Sequence, residues 1–153
     1  MSGASVGACP VEDRIAIEDV MVAYCTAVDS LHDLDGLCDV FTPDATFDLS
    51  GIGLPRKLGH AGIREFFTAV FADMSHHAHY LTNFALTAYE GDRASARAYI
   101  IGMGRSKAGN EVTVNGRYYF DVVRTAAGWK ASRYTMDFMM PLPGSLAVIH
   151  ADR

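Results

Sequence analysis

Four long stretches in the second half of the chain constrain its fold most. They are rich in the aromatic, β-branched and aliphatic residues typical of strands, and they cover residues 76–89, 93–104, 111–124 and 128–139. Short turns separate them, and each turn contains one glycine: Gly91, Gly109 or Gly128. Strand-like segments this close together, joined by hairpin turns, predict four consecutive antiparallel strands.

The strongest helical pattern in the first half covers residues 15–29. Its apolar residues recur at helical spacing and form one stripe, made of Ile17, Val20, Met21, Tyr24 and Val28. Asp13 precedes the stripe and is predicted to cap the helix N-terminus. Asp29 stands at the other end, beside free carbonyl oxygens and the negative end of the helix dipole. A buried Asp29 would therefore need a hydrogen-bond donor or a cation from elsewhere in the chain.

Two more helices and one strand are predicted before the hairpins. Asp33 stands where it can cap a short helix that stops before Pro43, because proline disfavours helix in the residue preceding it. Residues 45–49 form a predicted strand with Phe47 on one face, and residues 61–72 form a third helix. Helices first and antiparallel strands later indicate an α+β fold. We expect a curved antiparallel sheet wrapped around three helices, with a central apolar pocket.

Composition excludes several classes of partner. Half of the residues are apolar and a fifth are charged, which is typical of a chain with a lined cavity or a buried oligomer face. The formal net charge is -5 and there is no basic run, which disfavours nucleic-acid binding. No apolar run approaches the length of a membrane span. The three cysteines, Cys9, Cys25 and Cys38, have no paired or metal-like spacing, so we expect a cytoplasmic protein.

A histidine cluster supplies the candidate chemistry. If residues 76–89 form a strand, His77 and His79 share one face and His76 lies on the other. An imidazole that contacts Asp29 would have a fixed tautomer, with its second nitrogen free to act as a general base. Tyr24 would then lie nearby to assist a leaving oxygen. The pattern alone leaves open the alternative that Asp29 caps a loop and the histidines lie at the surface.

Metal binding by the same cluster is a second interpretation. His77 and His79 are two residues apart, and on one strand face they could share a metal ion. The glutamate or additional histidine that usually completes such a site is not evident at a matching spacing. We therefore predict no metal and no cofactor.

A set of short motifs, in a fixed order, carries a family resemblance. The motifs are Tyr24-x4-Asp29, Phe41-Thr-Pro-Asp44-Ala, Gly59-x3-Ile63, His79-x3-Asn83, Gly91-Asp92-x-Ala94, Gly116-Arg117-Tyr118 and Gly128-Trp129. Over residues 12–142 the chain resembles the SnoaL-like, or NTF2-like, superfamily of cone-shaped α+β domains. Residues 1–11 would then be a flexible N-terminal segment and residues 143–153 a C-terminal tail.

Within that superfamily the chain is most similar to the branch with scytalone dehydratase, bile-acid 7α-dehydratase and hexachlorocyclohexane dehydrochlorinase. These enzymes perform elimination without a cofactor, using an Asp–His dyad. The resemblance implies catalytic roles for Asp29, His79 and Tyr24. Tyr24 and Tyr134 stand where the dehydrochlorinase has a lysine and an arginine. Loss of this cationic support favours a hydroxyl leaving group, or isomerisation, over chloride departure.

The same resemblance implies which residues line the pocket, what the pocket binds and how the protein assembles. The matched pocket positions are Phe47, Val70, Met74, Ile100, Val114, Gly116, Tyr118, Tyr134 and Met136. They predict a hydrophobic small-molecule substrate, such as a terpenoid, a steroid-like molecule or an aromatic polyketide. An isomerase or cyclase with the same base, or a non-catalytic carrier of an apolar ligand, remains an alternative. A homo-oligomer is expected, with a trimer favoured over a dimer.

Overall fold

The computed structural model describes residues 6–142, so the predicted C-terminal tail and the first five residues lie outside it. Within this range the helices are α1 (Val11–Ser30), α2 (Leu34–Asp39) and α3 (Gly59–Asp73), with a short 3-10 helix at Ser50–Ile52. The strands are β1 (Phe41–Asp48), β2 (Arg56–Leu58), β3 (Met74–Tyr89), β4 (Arg93–Ser106), β5 (Glu111–Thr125) and β6 (Gly128–Phe138). None of these helices is long and apolar enough to cross a lipid bilayer.

The strands form one curved, unclosed sheet in the order β2-β1-β6-β5-β4-β3. The four predicted strands are confirmed as a β3–β6 meander, in which each strand pairs antiparallel with the next. The other neighbouring strands also pair antiparallel, except that β1 runs parallel to β6. Strand β2 was not predicted, since its three residues are too few to show a periodic pattern. The α+β fold is confirmed.

Helix α1 packs its apolar stripe into the concave side of the sheet. All five stripe residues are buried, and Ile17 and Met21 are 0% exposed. The predicted N-cap was wrong, because α1 begins after Pro10 and Asp13 lies within its first turn. The side chain of Asp13 instead accepts hydrogen bonds from the hydroxyl of Tyr89, at 2.6 Å, and from Arg124, at 2.7 Å.

The segment after α1 differs from the prediction in where β1 starts. Asp33 caps α2 as predicted, since its side chain accepts a hydrogen bond of 2.9 Å from the backbone N–H of Gly36. Strand β1, however, starts at Phe41 rather than at residue 45, and it includes Pro43. Pairing with β6 is irregular between Phe41 and Thr46, so the proline, which has no N–H to donate, interrupts no regular ladder.

Candidate active site

The C-terminal turn of α1 meets the beginning of β3 through Asp29 and His79. Both oxygens of the Asp29 carboxylate contact the same residue. One lies 2.5 Å from Nδ1 of His79, and the other accepts a 2.9 Å hydrogen bond from the His79 backbone N–H. These two donors offset the unfavourable position of a carboxylate at the negative end of a helix. The side chains of His79 and Asp29 are only 14% and 29% exposed.

This contact determines which nitrogen of His79 carries its proton. An ionised carboxylate only accepts hydrogen bonds, so the proton of the neutral imidazole resides on Nδ1. The Nε2 atom therefore has a free lone pair, as a general base requires. His79 lines a cavity, whereas Asp29 is not among the residues of the cavity wall.

His77 lies beside His79 on the same face of β3, and the two rings are 5.8 Å apart between centroids. Nδ1 of His77 lies 3.1 Å from the carbonyl oxygen of Val28, in the last turn of α1. Burial lowers the pKa of His77, because a desolvated imidazole resists protonation; the hydrogen bond to the Val28 carbonyl opposes this effect. His76 is exposed on the other face, and its Nδ1 atom lies 3.0 Å from the hydroxyl oxygen of its neighbour Ser75.

Two glycines on β4 make room for the two imidazoles. Gly102 pairs with His79 across the β3–β4 ladder, and Gly104 pairs with His77. A Cβ atom at Gly102 would lie 3.1 Å from the His79 ring, and one at Gly104 would lie 3.3 Å from the His77 ring. Both contacts are tighter than ordinary van der Waals packing. Sequence reasoning missed this role, although two glycines at strand spacing in an apolar segment were visible.

The cavity next to these imidazoles has a volume of about 210 Å³ and mostly apolar walls. Eight of the nine predicted pocket residues line it: Phe47, Val70, Met74, Ile100, Val114, Tyr118, Tyr134 and Met136. Other lining residues were not predicted, among them Val28, Leu49, Ile52, Leu54, Phe66, Phe67, Met103, Val112 and Phe138. Many of these residues lie in helices or strands, and only the folded chain shows that their side chains face the cavity.

Gly116 is the predicted pocket residue that the cavity wall does not include. A Cβ atom there would lie only 2.6 Å from the carbonyl oxygen of Asp137 on β6. The glycine therefore serves the close approach of two backbones, where the curved sheet brings β5 and β6 together. A pocket role for Gly116 stays a prediction, and the structure explains the glycine by this backbone contact.

Tyr24 reaches the cavity from the middle of α1 and lies among other aromatic rings. Its ring centroid is 5.1 Å from that of Tyr134 and 5.6 Å from that of Tyr118. Burial raises the pKa of all three hydroxyls well above the usual tyrosine value. Each hydroxyl therefore stays protonated, and that of Tyr134 donates a hydrogen bond of 3.4 Å to Sδ of Met136.

The described site offers few ligands for a metal ion. Among residues 6–142, no three histidine, cysteine, aspartate or glutamate side chains are arranged to hold one. His77 and His79 each use Nδ1 for a protein acceptor, which leaves only their Nε2 atoms as ligands. Two imidazole nitrogens are fewer protein ligands than a catalytic zinc site normally has.

Comparison with known proteins identifies the family. No match was found among proteins of curated function. A family model described as a SnoaL-like domain matches residues 10–135. The chain belongs to the SnoaL-like family. The resemblance inferred from the sequence motifs is thereby confirmed.

Solved structures share the fold of this SnoaL-like chain. A "putative aromatic ring hydroxylase" from Novosphingobium aromaticivorans DSM is 70% identical, with 91% of this chain and 97% of that chain covered and a TM-score of 0.89. A "putative scytalone dehydratase" from Novosphingobium aromaticivorans DSM 12444 is 18% identical, with coverages of 85% and 86% and a TM-score of 0.78. Hexachlorocyclohexane dehydrochlorinase LinA-type3 from Novosphingobium barchaimii LL02 is 20% identical, with coverages of 88% and 92% and a TM-score of 0.75. The two distant structures establish the shared fold alone.

Proposed function

We propose that the protein is a cofactor-independent lyase, and specifically a dehydratase acting on a hydrophobic small molecule such as a terpenoid, a steroid-like molecule or an aromatic polyketide. The observation that carries this proposal is the contact between Asp29 and His79 at the wall of an apolar cavity. Membership of the SnoaL-like family supports it, because scytalone dehydratase-like and dehydrochlorinase structures share the fold. Tyr24, Asp29 and His79 are the proposed catalytic residues.

In the proposed reaction, Nε2 of His79 removes a proton from a substrate carbon next to the carbon that bears a hydroxyl. The electron pair of the broken C–H bond forms the new C=C bond, and the C–O bond breaks. Asp29 stabilises the transient imidazolium across their 2.5 Å contact. The departing oxygen takes the proton back from Nε2, so the products are an alkene and one molecule of water.

Tyr24 acts in this scheme as a hydrogen-bond donor to the departing oxygen. Burial raises the pKa of its hydroxyl so strongly that a free tyrosinate would be costly in this chamber. Donation of a hydrogen bond requires no such anion, and it still stabilises the negative charge that develops on the oxygen. The imidazolium of His79 is therefore the better source of the proton that completes the water molecule.

Replacing His79 by alanine tests the proposal directly. Hydroxylated terpenoids, steroids and polyketides are incubated with the protein, and the loss of one water is followed by mass spectrometry. We expect His79→Ala to slow the reaction by about 10²–10⁴-fold, since it removes the general base. The control is His76→Ala, because His76 is exposed on the opposite strand face and should not affect the rate. An unchanged rate in His79→Ala would refute the assignment.

The 70% identity to a structure named a "putative aromatic ring hydroxylase" favours a second candidate, the hydroxylation of an aromatic ring carbon. This reaction needs an oxidant and an external reductant, whereas dehydration needs neither. The two are separated by the mass of the product, which gains an oxygen atom in one case and loses water in the other. Isomerisation or cyclisation by the same base would leave the mass unchanged, and a carrier would return the ligand unaltered.

We also propose a cytoplasmic homo-oligomer, with a trimer favoured over a dimer, that binds neither nucleic acid nor membranes. Three free cysteines support a reducing compartment. Two exposed apolar side chains, Tyr80 and Ile101, are cross-strand neighbours in the β3–β4 ladder and support a contact with a second copy.

A further inference from the structure

We propose that His77 is a substrate-binding residue whose Nε2 atom accepts a hydrogen bond from a hydroxyl group of the ligand. The substrate class that follows is an uncharged, hydroxylated apolar molecule, rather than a carboxylate or a fully etherified one. This inference deepens the proposed function and rests on it only in taking the cavity as the substrate site. It does not require His79 to act as a base.

The tautomer of His77 follows from its backbone partner. The carbonyl oxygen of Val28 can only accept, so the hydrogen bond of 3.1 Å requires a proton on Nδ1 of His77. In the neutral ring, Nε2 then has a lone pair and no proton. Within residues 6–142, neither this atom nor Nε2 of His79 has a hydrogen-bond partner, although both rings line the cavity.

The His77 ring is uncharged, as an acceptor role for its Nε2 atom requires. Burial lowers the pKa of the ring, and the nearby His79 ring lowers it further, while the Val28 carbonyl and Asp29 act in the opposite direction. The net result is a neutral imidazole at pH 7. A neutral acceptor attracts a hydroxyl proton, but it offers nothing to a carboxylate, whose oxygens are acceptors too.

A glycine on the neighbouring strand leaves room for the His77 ring. Gly104 lies opposite His77 in the ladder, and a Cβ atom there would collide with Met74 at 2.6 Å and press on the His77 ring at 3.3 Å. The neighbouring pair, Gly102 and His79, repeats the arrangement. The two imidazoles therefore lie side by side over two glycines, and they supply two adjacent acceptors in an apolar wall.

Polar atoms are few in this wall, so each one restricts what the cavity accepts. The hydroxyl of Tyr134 already donates a hydrogen bond of 3.4 Å to Sδ of Met136, whereas the Nε2 atoms of the two histidines can accept one. An acceptor facing an apolar ligand would lose its hydration without compensation, and this penalty favours ligands that provide a donor. His77 therefore holds a ligand hydroxyl at the cavity wall, whatever the role of His79.

The test compares 2-naphthol with its methyl ether, 2-methoxynaphthalene, as probes of the cavity, using titration calorimetry on the full-length protein. We expect the wild type to bind 2-naphthol about tenfold more tightly, the value of one hydrogen bond. In His77→Phe this preference should fall to near unity, while the ether keeps its affinity. The matched control, His76→Phe, should retain the preference, because His76 lies on the exposed face.

An unchanged preference in His77→Phe would overturn the proposal and leave His77 as a cap for the end of α1. Loss of the preference in His79→Phe but not in His77→Phe would overturn it as well. If His77→Phe does not fold, the calorimetric comparison is replaced by ¹⁵N spectra of the wild type. Addition of 2-naphthol must then shift the Nε2 signal of His77. Because no turnover is measured, failure here is distinct from failure of the dehydratase assignment.

Discussion

At the scale of single residues, the site depends on which protons the two histidines carry. Asp29 and the Val28 carbonyl are adjacent acceptors at the end of one helix, and each orders the Nδ1 proton of one ring. Both rings consequently present Nε2 lone pairs to the same cavity. His79 has a carboxylate behind its ring, whereas His77 has an uncharged backbone carbonyl. This difference separates the proposed base, His79, from the proposed binding group, His77.

Replacing Asp29 by asparagine should reduce kcat/KM by about 10³–10⁴-fold with little change in the fold. The amide has nearly the shape of the carboxylate, but its NH₂ group can donate to Nδ1 of His79 and so move the ring proton to Nε2. A ring protonated at Nε2 cannot accept a proton from carbon. The measurement is steady-state kinetics together with ¹⁵N spectra of the imidazole. A full rate with Nδ1 still protonated would contradict the role given to Asp29.

At the scale of elements, α1 is held at both of its ends. Its first turn is fixed by Asp13, which accepts hydrogen bonds from Tyr89 at the end of β3 and from Arg124 on β5. Its last turn is fixed by His77 and His79 at the other end of β3. The helix therefore spans the length of the sheet's concave side between two polar contacts. Displacement at either end would move the Asp29 carboxylate relative to its imidazole.

The hydrogen bonds to Asp13 should make the thermal stability of the protein depend on pH. The hydrogen bond from Arg124 chiefly, and that from Tyr89, lower the pKa of Asp13 from 3.8 to about 2. A carboxyl group with a lowered pKa stabilises the fold above its unfolded pKa, and this stabilisation is lost as the pH falls through the folded value. We expect Asp13→Asn to lower Tm by a few degrees at pH 7, and the difference from wild type to shrink between pH 4 and pH 2.

Thermal unfolding across this pH range checks the expectation, with Asp35→Asn as the control. Asp35 also pairs with an arginine, Arg64, but its side chain is 91% exposed, so the loss of this pair should hardly change Tm. Equal effects of the two variants, or a difference that persists at pH 2, would argue against the Asp13 contact as the cause.

At the scale of the whole molecule, β3 is the unusual element, because it is both a wall of the cavity and an edge of the sheet. It has 16 residues, and long exposed edges readily pair with other chains. Tyr80 on its outer face is 60% exposed, next to the exposed Ile101 on β4. An oligomer contact over this region would cover the edge and would lie directly behind the two histidines.

The mass of the protein in solution should be that of an oligomer, with the trimer expected, when measured by light scattering. Tyr80→Asp should shift the distribution toward smaller species, because it puts a charge into the proposed contact. Thr68→Asp introduces the same charge at an exposed polar position of helix α3 and should leave the mass unchanged. A monomer at micromolar concentration in the wild type would exclude the proposed assembly.

The sequence alone determined the features that depend on local periodicity. The stripe of α1 and the four strands of the meander follow from repeats of 3.6 and 2 residues, and alternation placed His77 and His79 on one face. The choice of His79 as the partner of Asp29 came from the family motif, since periodicity treats the two histidines alike. The three catalytic roles, of Tyr24, Asp29 and His79, remain predictions.

Only the tertiary structure decided what depends on pairs of residues far apart in the chain. It showed Gly102 and Gly104 under the two imidazoles, the Val28 carbonyl on His77, and Gly116 against the backbone of β6. It also showed the parallel pairing of β1 with β6. Local patterns contain no information about register between distant segments, because a strand's alternation is the same whichever neighbour it pairs with.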